Sequence, residues 1–309
     1  MNTNFFYPIP NAGFLSISGS SRVDFLQRQT SNDLRNLGAD DARLTVLTSP
    51  TARILDVFRV FEDGESLGIV SLPERVLATE AYLRSRIFFN DDVRLENQSA
   101  KYAQILLIGS QAAQVLDTLG LDSPPTVGGV ARFTFRKSAA FTFGEAGFDD
   151  IVFRLILPQS ETESIMQLLA KQGTAELSFT DYEVIRIEAG LPGHQTELTD
   201  DYTPLEVGLQ HTAISMTKGC FTGQEIIARQ VNYDKITRRL MGLRLDASVE
   251  LATTVRIDGK SVGKITSVAA SPRFGDIALA VLKRPFDQPQ TPVDVGGVPA
   301  VVAELPFVS

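Results

Sequence analysis

The residue best suited to covalent or metal-ligating chemistry is Cys220, in the run Lys218-Gly219-Cys220-Phe221-Thr222-Gly223-Gln224-Glu225. Thr222 to Glu225 has the spacing of a capping box and precedes the apolar Ile226, Ile227 and Val231, which predicts a helix N-cap two residues beyond the cysteine. A helix N-terminus carries partial positive charge and Lys218 adds a full one; both favour thiolate over thiol. Gly219 and Gly223 remove side-chain bulk, so another group can approach the backbone. The competing reading is a buried, inert cysteine that merely packs.

Cys220 is the only cysteine. That excludes an intrachain disulfide, a cysteine-based zinc site and a self-contained Cys-ligated cluster. A single thiol touches a cluster only if a partner, another subunit or a small thiol shares it. The only two histidines, His194 and His211, lack metal-ligand spacing to each other and to Cys220, so no metal site is expected. A second candidate is Glu188, in Arg186-Ile187-Glu188-Ala189-Gly190-Leu191-Pro192. A carboxylate accepts two parallel donors with strength and orientation; it can equally be a solvated residue or pair with Arg186. Arg229, Lys235, Arg238 and Arg239 form a local basic cluster, either a solvated surface or an anion site for something smaller than nucleic acid.

The rest of the 309 residues must position these groups. With 29 basic and 37 acidic residues the net charge is -8, which argues against direct binding of duplex nucleic acid. A hydrophobic content of 43% and a charged content of 21% suit a soluble globular protein of two or three domains. No apolar run reaches the roughly 18 residues of a membrane span. The N-terminus lacks the basic and apolar regions of a signal peptide. A reducing, cytoplasmic setting is expected.

Phe14–Ile17 and Arg43–Leu47 read as strands, with a helix between them from Ser20 or Ser21 and a turn at Thr30-Ser31-Asn32-Asp33. From about Thr51 to Gly120 the order is β-β-α-β-β-α: strands at Ile54–Phe61 and Leu67–Ser71 joined at Asp63-Gly64, a helix from Pro73 to about Ile87, strands at Val93–Leu95 and Tyr102–Ile108, and a helix at Ser110–Leu119. Further strands fall at Val130–Phe135 and Ile151–Leu157, with a helix near Glu161–Lys171. A second capping box, Thr180-Asp181-Tyr182-Glu183, opens a helix that should stop at Gly190. From Leu240 on, short apolar runs alternate with Gly-bearing turns such as Asp258-Gly259, the pattern of a small all-β barrel or sandwich.

Lys218 to Glu225 resembles the signature of the YgfZ family of folate-binding proteins, relatives of the glycine-cleavage T-protein. Arg186 to Pro192 is similar to a segment shared with the T-protein, and Asp201, Pro204 and Glu206-Val207-Gly208-Leu209 to the stretch after it. Phe25-Leu26-Gln27, Thr30 to Asp33, Gly263-Lys264-Ile265-Thr266-Ser267 and Ser271-Pro272 extend the likeness over nearly the whole chain. The resemblance implies an α+β, T-protein-like three-domain body: a folate-binding region over residues 1–238, a ferredoxin-like unit inserted at about 48–128, and a C-terminal β-barrel over 239–309, ring-like around a central folate cleft. It implies tetrahydrofolate as cofactor, with Glu188 on the pterin edge, Arg186 beside it in the cofactor-binding segment, and Arg229 and Arg238 near the glutamate tail. It makes Cys220, with Lys218, the functional thiol of a factor that assembles or maintains iron–sulfur clusters. The implied partners are cluster-assembly proteins or cluster-containing clients, tRNA-thiolating enzymes among them, so that the link to tRNA modification is indirect.

One departure separates this chain from aminomethyltransferases, the alternative function. These carry Gly-Gly-x-x-Asp-Asp with a catalytic second aspartate. The counterpart here is Thr51-Ala52-Arg53-Ile54-Leu55-Asp56-Val57, which puts Val57 at the catalytic position. Valine cannot take a proton. A slip of one residue on a strand would reverse the face on which Asp56 lies. A third reading is a non-catalytic folate-binding protein in which Cys220 only packs.

Overall fold

The computed structural model describes residues 4–147 and 152–307, and the chain divides into two compact units. The first holds residues up to Thr48, Leu55–Ser178 and Thr212–Thr222; the second holds Ser49–Ile54, Phe179–His211 and the chain from Gly223 on.

In chain order the elements begin β1 (Phe5–Pro8), β2 (Gly13–Ser18), α1 (Arg22–Gln29), β3 (Ala42–Thr48), β4 (Ile54–Asp63), β5 (Ser66–Ser71), α2 (Val76–Arg84), β6 (Arg94–Asn97), β7 (Tyr102–Ile108) and α3 (Ala112–Thr118). They continue with β8 (Val130–Phe135), β9 (Ser138–Glu145), β10 (Val152–Pro158), α4 (Thr162–Lys171) and β11 (Ala175–Glu176). The strands make a five-stranded sheet of order β3-β4-β5-β2-β6 and a six-stranded sheet of order β11-β1-β7-β10-β9-β8. Leu26, Phe58, Ile69 and Leu83 pack α1 and α2 on the first sheet. Ile105, Leu116, Leu155 and Leu169 pack α3 and α4 on the second. Phe14, Phe61, Phe141 and Phe143 join the two sheets, with edge-to-face rings 5.0–6.1 Å apart.

The six elements read between Thr51 and Gly120 occur in the expected order. β4, β5 and β6 lie in the five-stranded sheet, whereas β7 crosses to the other sheet and pairs with β1 and β10. β1 and β11 carry no sequence signal strong enough to be read as strands. Of the expected strand at Ile151–Leu157, Ile151 lies outside the described residues and the rest belongs to β10.

Beyond its short Ser49–Ile54 segment, the second unit continues with α5 (Phe179–Glu188). The boundary between units falls within the short α6 (Gln210–Ala213), and α7 (Gln224–Asn232) follows. Then come β12 (Arg238–Leu245), β13 (Thr254–Ile257), β14 (Lys260–Ser271), β15 (Gly275–Lys283), β16 (Pro292–Val295) and β17 (Val298–Ala303). These six strands close into a barrel of order β12-β15-β14-β13-β16-β17, filled by Leu243, Val255, Ile265, Leu282 and Val302. Asp258-Gly259 does form the predicted hairpin turn: both residues have positive φ, 49° and 75°, as a tight turn between right-twisted strands requires.

Neither predicted capping box forms. α7 has Gly223 at its N-cap with φ 83° and no side-chain cap bond, a left-handed conformation that glycine tolerates and threonine does not. α5 starts at Phe179, and Glu183 turns toward Arg186 instead of its own N-cap. The predicted stop at Gly190 is present: its φ is 67°, and the Leu191 N–H donates to the Arg186 carbonyl at 3.0 Å, satisfying an end group of the helix.

Candidate functional site

Cys220 is exposed, in a loop of the first unit that is tied down on both sides. The Ser31 hydroxyl donates to the Ala213 carbonyl at 2.7 Å, and the Ser215 N–H donates to the Ser31 carbonyl at 3.0 Å. Beyond the cysteine, the Thr222 carbonyl accepts from the Thr48 hydroxyl at 2.5 Å, and the Thr222 N–H donates to the Arg28 carbonyl at 3.3 Å. The turn at Thr30 to Asp33 is thus half of a dock for the thiol loop. A Cβ built on Gly219 meets nothing within 4 Å, so the space beside the thiol is open.

Lys218 is placed differently from the expectation. It is buried, and its Nζ lies 2.8, 2.6 and 2.8 Å from the carbonyl oxygens of Gln27, Thr30 and Asn32. An ammonium has three donors, and all three are used. Lys218 therefore anchors the loop to the C-terminal end of α1, where the helix dipole favours a cation, and has no proton to share with Cys220. Burial pulls its pKa down to about 8. Phe221 packs beneath it, 5.1 Å from Nζ to ring centre.

In the second unit α5 points two functional candidates at one strand. Ser267, Ala269 and Ser271 share a face of β14, by the two-residue alternation of a strand. Arg186 reaches Ser267; Glu188 reaches Ser271. Arg186 is buried and spends all five donors: Nε and Nη2 on the two oxygens of Glu183 at 2.7 and 2.6 Å, Nη1 on the Leu191 carbonyl at 2.6 Å and Glu197 at 3.5 Å, and Nη2 also on the Ser267 hydroxyl at 2.9 Å. Burial works against the charge; Glu183 and Glu197 override it and raise the pKa. Glu197, which no motif had marked, is fully buried and also accepts from the Gly193 N–H at 2.6 Å and the Ser267 hydroxyl at 2.7 Å.

The Glu188 side chain is 11% exposed. One oxygen accepts a short bond from the Ser271 hydroxyl, and the other lies 3.4 Å from Nη1 of Arg273. Each carboxylate oxygen has about two acceptor sites, so one on each remains for a flat two-donor group. Next to this carboxylate the Phe274 and Phe307 rings lie 6.0 Å apart, with Arg244 over both.

The two arginines expected near an anionic tail do not act together. Arg229 is exposed on α7 and pairs with Glu225 one turn away at 3.3 Å. Arg238 grips the buried Glu206 with Nε and Nη2 at 2.7 and 3.0 Å; Arg53 lies 3.6 Å from the same carboxylate.

On β4, Asp56 is fully buried on the helix-covered face. It accepts from the hydroxyls of Ser71 and Thr79, both at 2.6 Å, and from the N–H groups of Val57 and Leu72 at 2.8 and 3.2 Å. Burial raises its pKa to about 6 in spite of these four bonds. Alternation turns Val57 to the opposite face. The nearest carboxylate to the expected catalytic position is thus enclosed and saturated.

Residues 9–218 match the GCVT N-terminal domain, and residues 238–309 match the glycine cleavage T-protein C-terminal barrel domain. A putative chloroplastic transferase of Arabidopsis thaliana is 29% identical over 302 residues, spanning 96% of this chain and 69% of that protein. An aminomethyltransferase of Exiguobacterium sibiricum is 27% identical over 296 residues, spanning 92% and 80%. The solved structure of glycine cleavage system aminomethyltransferase T from Bartonella henselae superposes with a TM-score of 0.88 at 21% identity, covering 99% of this chain and 87% of that one. The mixed α/β body with a closed six-stranded C-terminal barrel is accordingly the T-protein fold.

Proposed function

The chain belongs to the glycine cleavage T-protein family, by both its GCVT N-terminal domain and its C-terminal barrel domain, and from that premise we propose that it is a tetrahydrofolate-binding factor of the YgfZ type. It supports assembly or maintenance of iron–sulfur clusters in client enzymes and acts through Cys220. The observation that carries this reading is the exposed thiol on a loop that Lys218, Ser31 and Thr48 hold in place. A thiol that only packed would be buried. On this reading the setting is the reducing cytoplasm. No helix among the described residues is long and apolar enough to cross a membrane. The domain division on this reading is a folate-binding region over 1–238 with its insert at about 48–128, and the barrel over 239–309.

The test is complementation with Cys220→Ala, read out as the activity of a cluster-containing client in cells that lack the protein. The expected result is loss of client activity at unchanged abundance of the variant. Full activity would leave Cys220 as a surface residue and favour a purely folate-binding role.

Glu188, with acceptor capacity on both oxygens beside the Phe274 and Phe307 rings, suits the two-donor edge and flat face of a pterin. Arg186, two residues before Glu188, contributes by holding the loop at Leu191 and Glu197. Calorimetric titration of tetrahydrofolate into Glu188→Ala should show affinity reduced about tenfold or more, the equivalent of one charged hydrogen-bond partner at roughly 1.5–3 kcal/mol. Equal affinities would remove Glu188 from the site. The second reading, aminomethyl transfer, draws on the relatives that bear that name; the enclosure of Asp56 and the valine beside it count against it.

A further inference from the structure

The second unit contains a cavity of about 510 Å³ between the first half of α5, the Gly193–Thr196 loop and the barrel strands β12, β14 and β15. Neither Glu188 nor Cys220 lines it. Its volume is within the ~300–1,000 Å³ of small-molecule sites. Its walls are mostly apolar, with Val184, Leu245, Val249, Val268 and Ile277 among them. Phe179 and Leu251 stand at the opening, 59% and 56% exposed. Most of the walls are rigid: β14 and β15 pair over eight positions of the barrel, and the Arg186–Glu197–Ser267 network braces the loop from behind.

Charge selects among occupants. No lysine or arginine lines the cavity, its one histidine is His194, and its two carboxylates are Glu183 and Asp276. Glu183 is neutralised by the two-point grip of Arg186. Asp276 is half-buried at the start of β15, and its carboxylate has no hydrogen-bond or ion-pair partner among the described residues. An anionic ligand would face an unpaired carboxylate with no lysine or arginine to meet its own charge, and repulsion of that kind discriminates as effectively as attraction. An organic cation would supply Asp276 with the partner it lacks while its apolar body covers the wall.

We propose that this cavity is a second small-molecule site, distinct from the folate-binding residues, that takes a small apolar amine and pairs its ammonium group with Asp276. Phenethylamine, phenethyl alcohol and phenylacetate share a body and differ in charge. They can be titrated into the full-length protein at about pH 8, where histidine is neutral, and followed by NMR shifts of cavity residues. The expected order of affinity is amine, then alcohol, with no binding of the acid. Asp276→Asn should bring the amine down to the level of the alcohol, a loss of roughly tenfold, and leave tetrahydrofolate binding unchanged. Ala269→Phe, which fills the cavity, should abolish binding of both. The proposal is overturned if acid and amine bind alike, if Asp276→Asn leaves the amine affinity unchanged, or if the shifts fall outside the cavity. Because folate binding is measured on the same variants, a failure here is separable from a failure of the folate reading.

Discussion

Replacing Arg186 by leucine is expected to cost about 3–5 kcal/mol of stability, the usual penalty for removing one partner of a buried ion pair. The cost comes less from the lost attraction than from what remains. Glu197 would keep its charge at zero exposure with only the Gly193 N–H and the hydroxyls of Thr196 and Ser267 as donors. Glu183 would lose both bonds of a two-point pair, and the Leu191 carbonyl would lose its side-chain donor. Arg186→Lys should recover only part of the loss, since an ammonium offers three donors from one point and cannot reproduce a planar fork aimed at four residues. Adding Glu197→Gln to the leucine variant should restore some stability by removing the stranded charge. Urea unfolding of the three variants measures this directly. If Arg186→Leu unfolds at the wild-type midpoint yet no longer binds tetrahydrofolate, Arg186 is a ligand contact and not the strut described here.

What could be read from the sequence was whatever is encoded over a few neighbouring residues. The Asp258-Gly259 turn, the Gly190 helix stop and the order of elements from β4 to α3 depend on local conformational preference and periodicity, and all are present. The destination of β7 depends on pairing with β1 and β10, and its own alternation is the same in either sheet. The site divides along the same line. The cysteine and its motif were visible, but the three carbonyls that occupy Lys218 lie 186–191 residues upstream, so local spacing could not show that the ammonium donors are spent on anchoring the loop. Glu197 lies in no motif, and Glu206 was marked only as part of the stretch similar to the T-protein; burial and the arginines that meet them reveal both as structural charges.

Asp56→Asn is expected to change the pH dependence of stability by about 3 kcal/mol between acid and neutral pH. Asp56 has a folded-state pKa raised from 3.8 to about 6 by burial, so the native state holds its proton more tightly than the unfolded chain does. The contribution of this residue is therefore most favourable below the unfolded value. It is lost as pH rises through the folded one. A shift from 3.8 to about 6, at roughly 1.36 kcal/mol per unit, sets the size of the effect. Asparagine cannot ionise. Its carbonyl can still accept from the Val57 and Leu72 N–H groups, and the Ser71 and Thr79 hydroxyls can rotate to accept from its amide. Glu145 does not confuse the measurement: burial opposes its charge, but Arg154 and Arg59 hold its pKa down at about 2, so its stabilising effect is complete above about pH 4.5 and fades only in stronger acid. The stability difference between variant and wild type, taken from chemical unfolding at a series of pH values, should move in favour of the variant as pH rises from about 4 to 7. A flat difference would mean that the four hydrogen bonds around Asp56 already compensate its burial, and a difference of opposite sign would mean that they prefer the carboxylate.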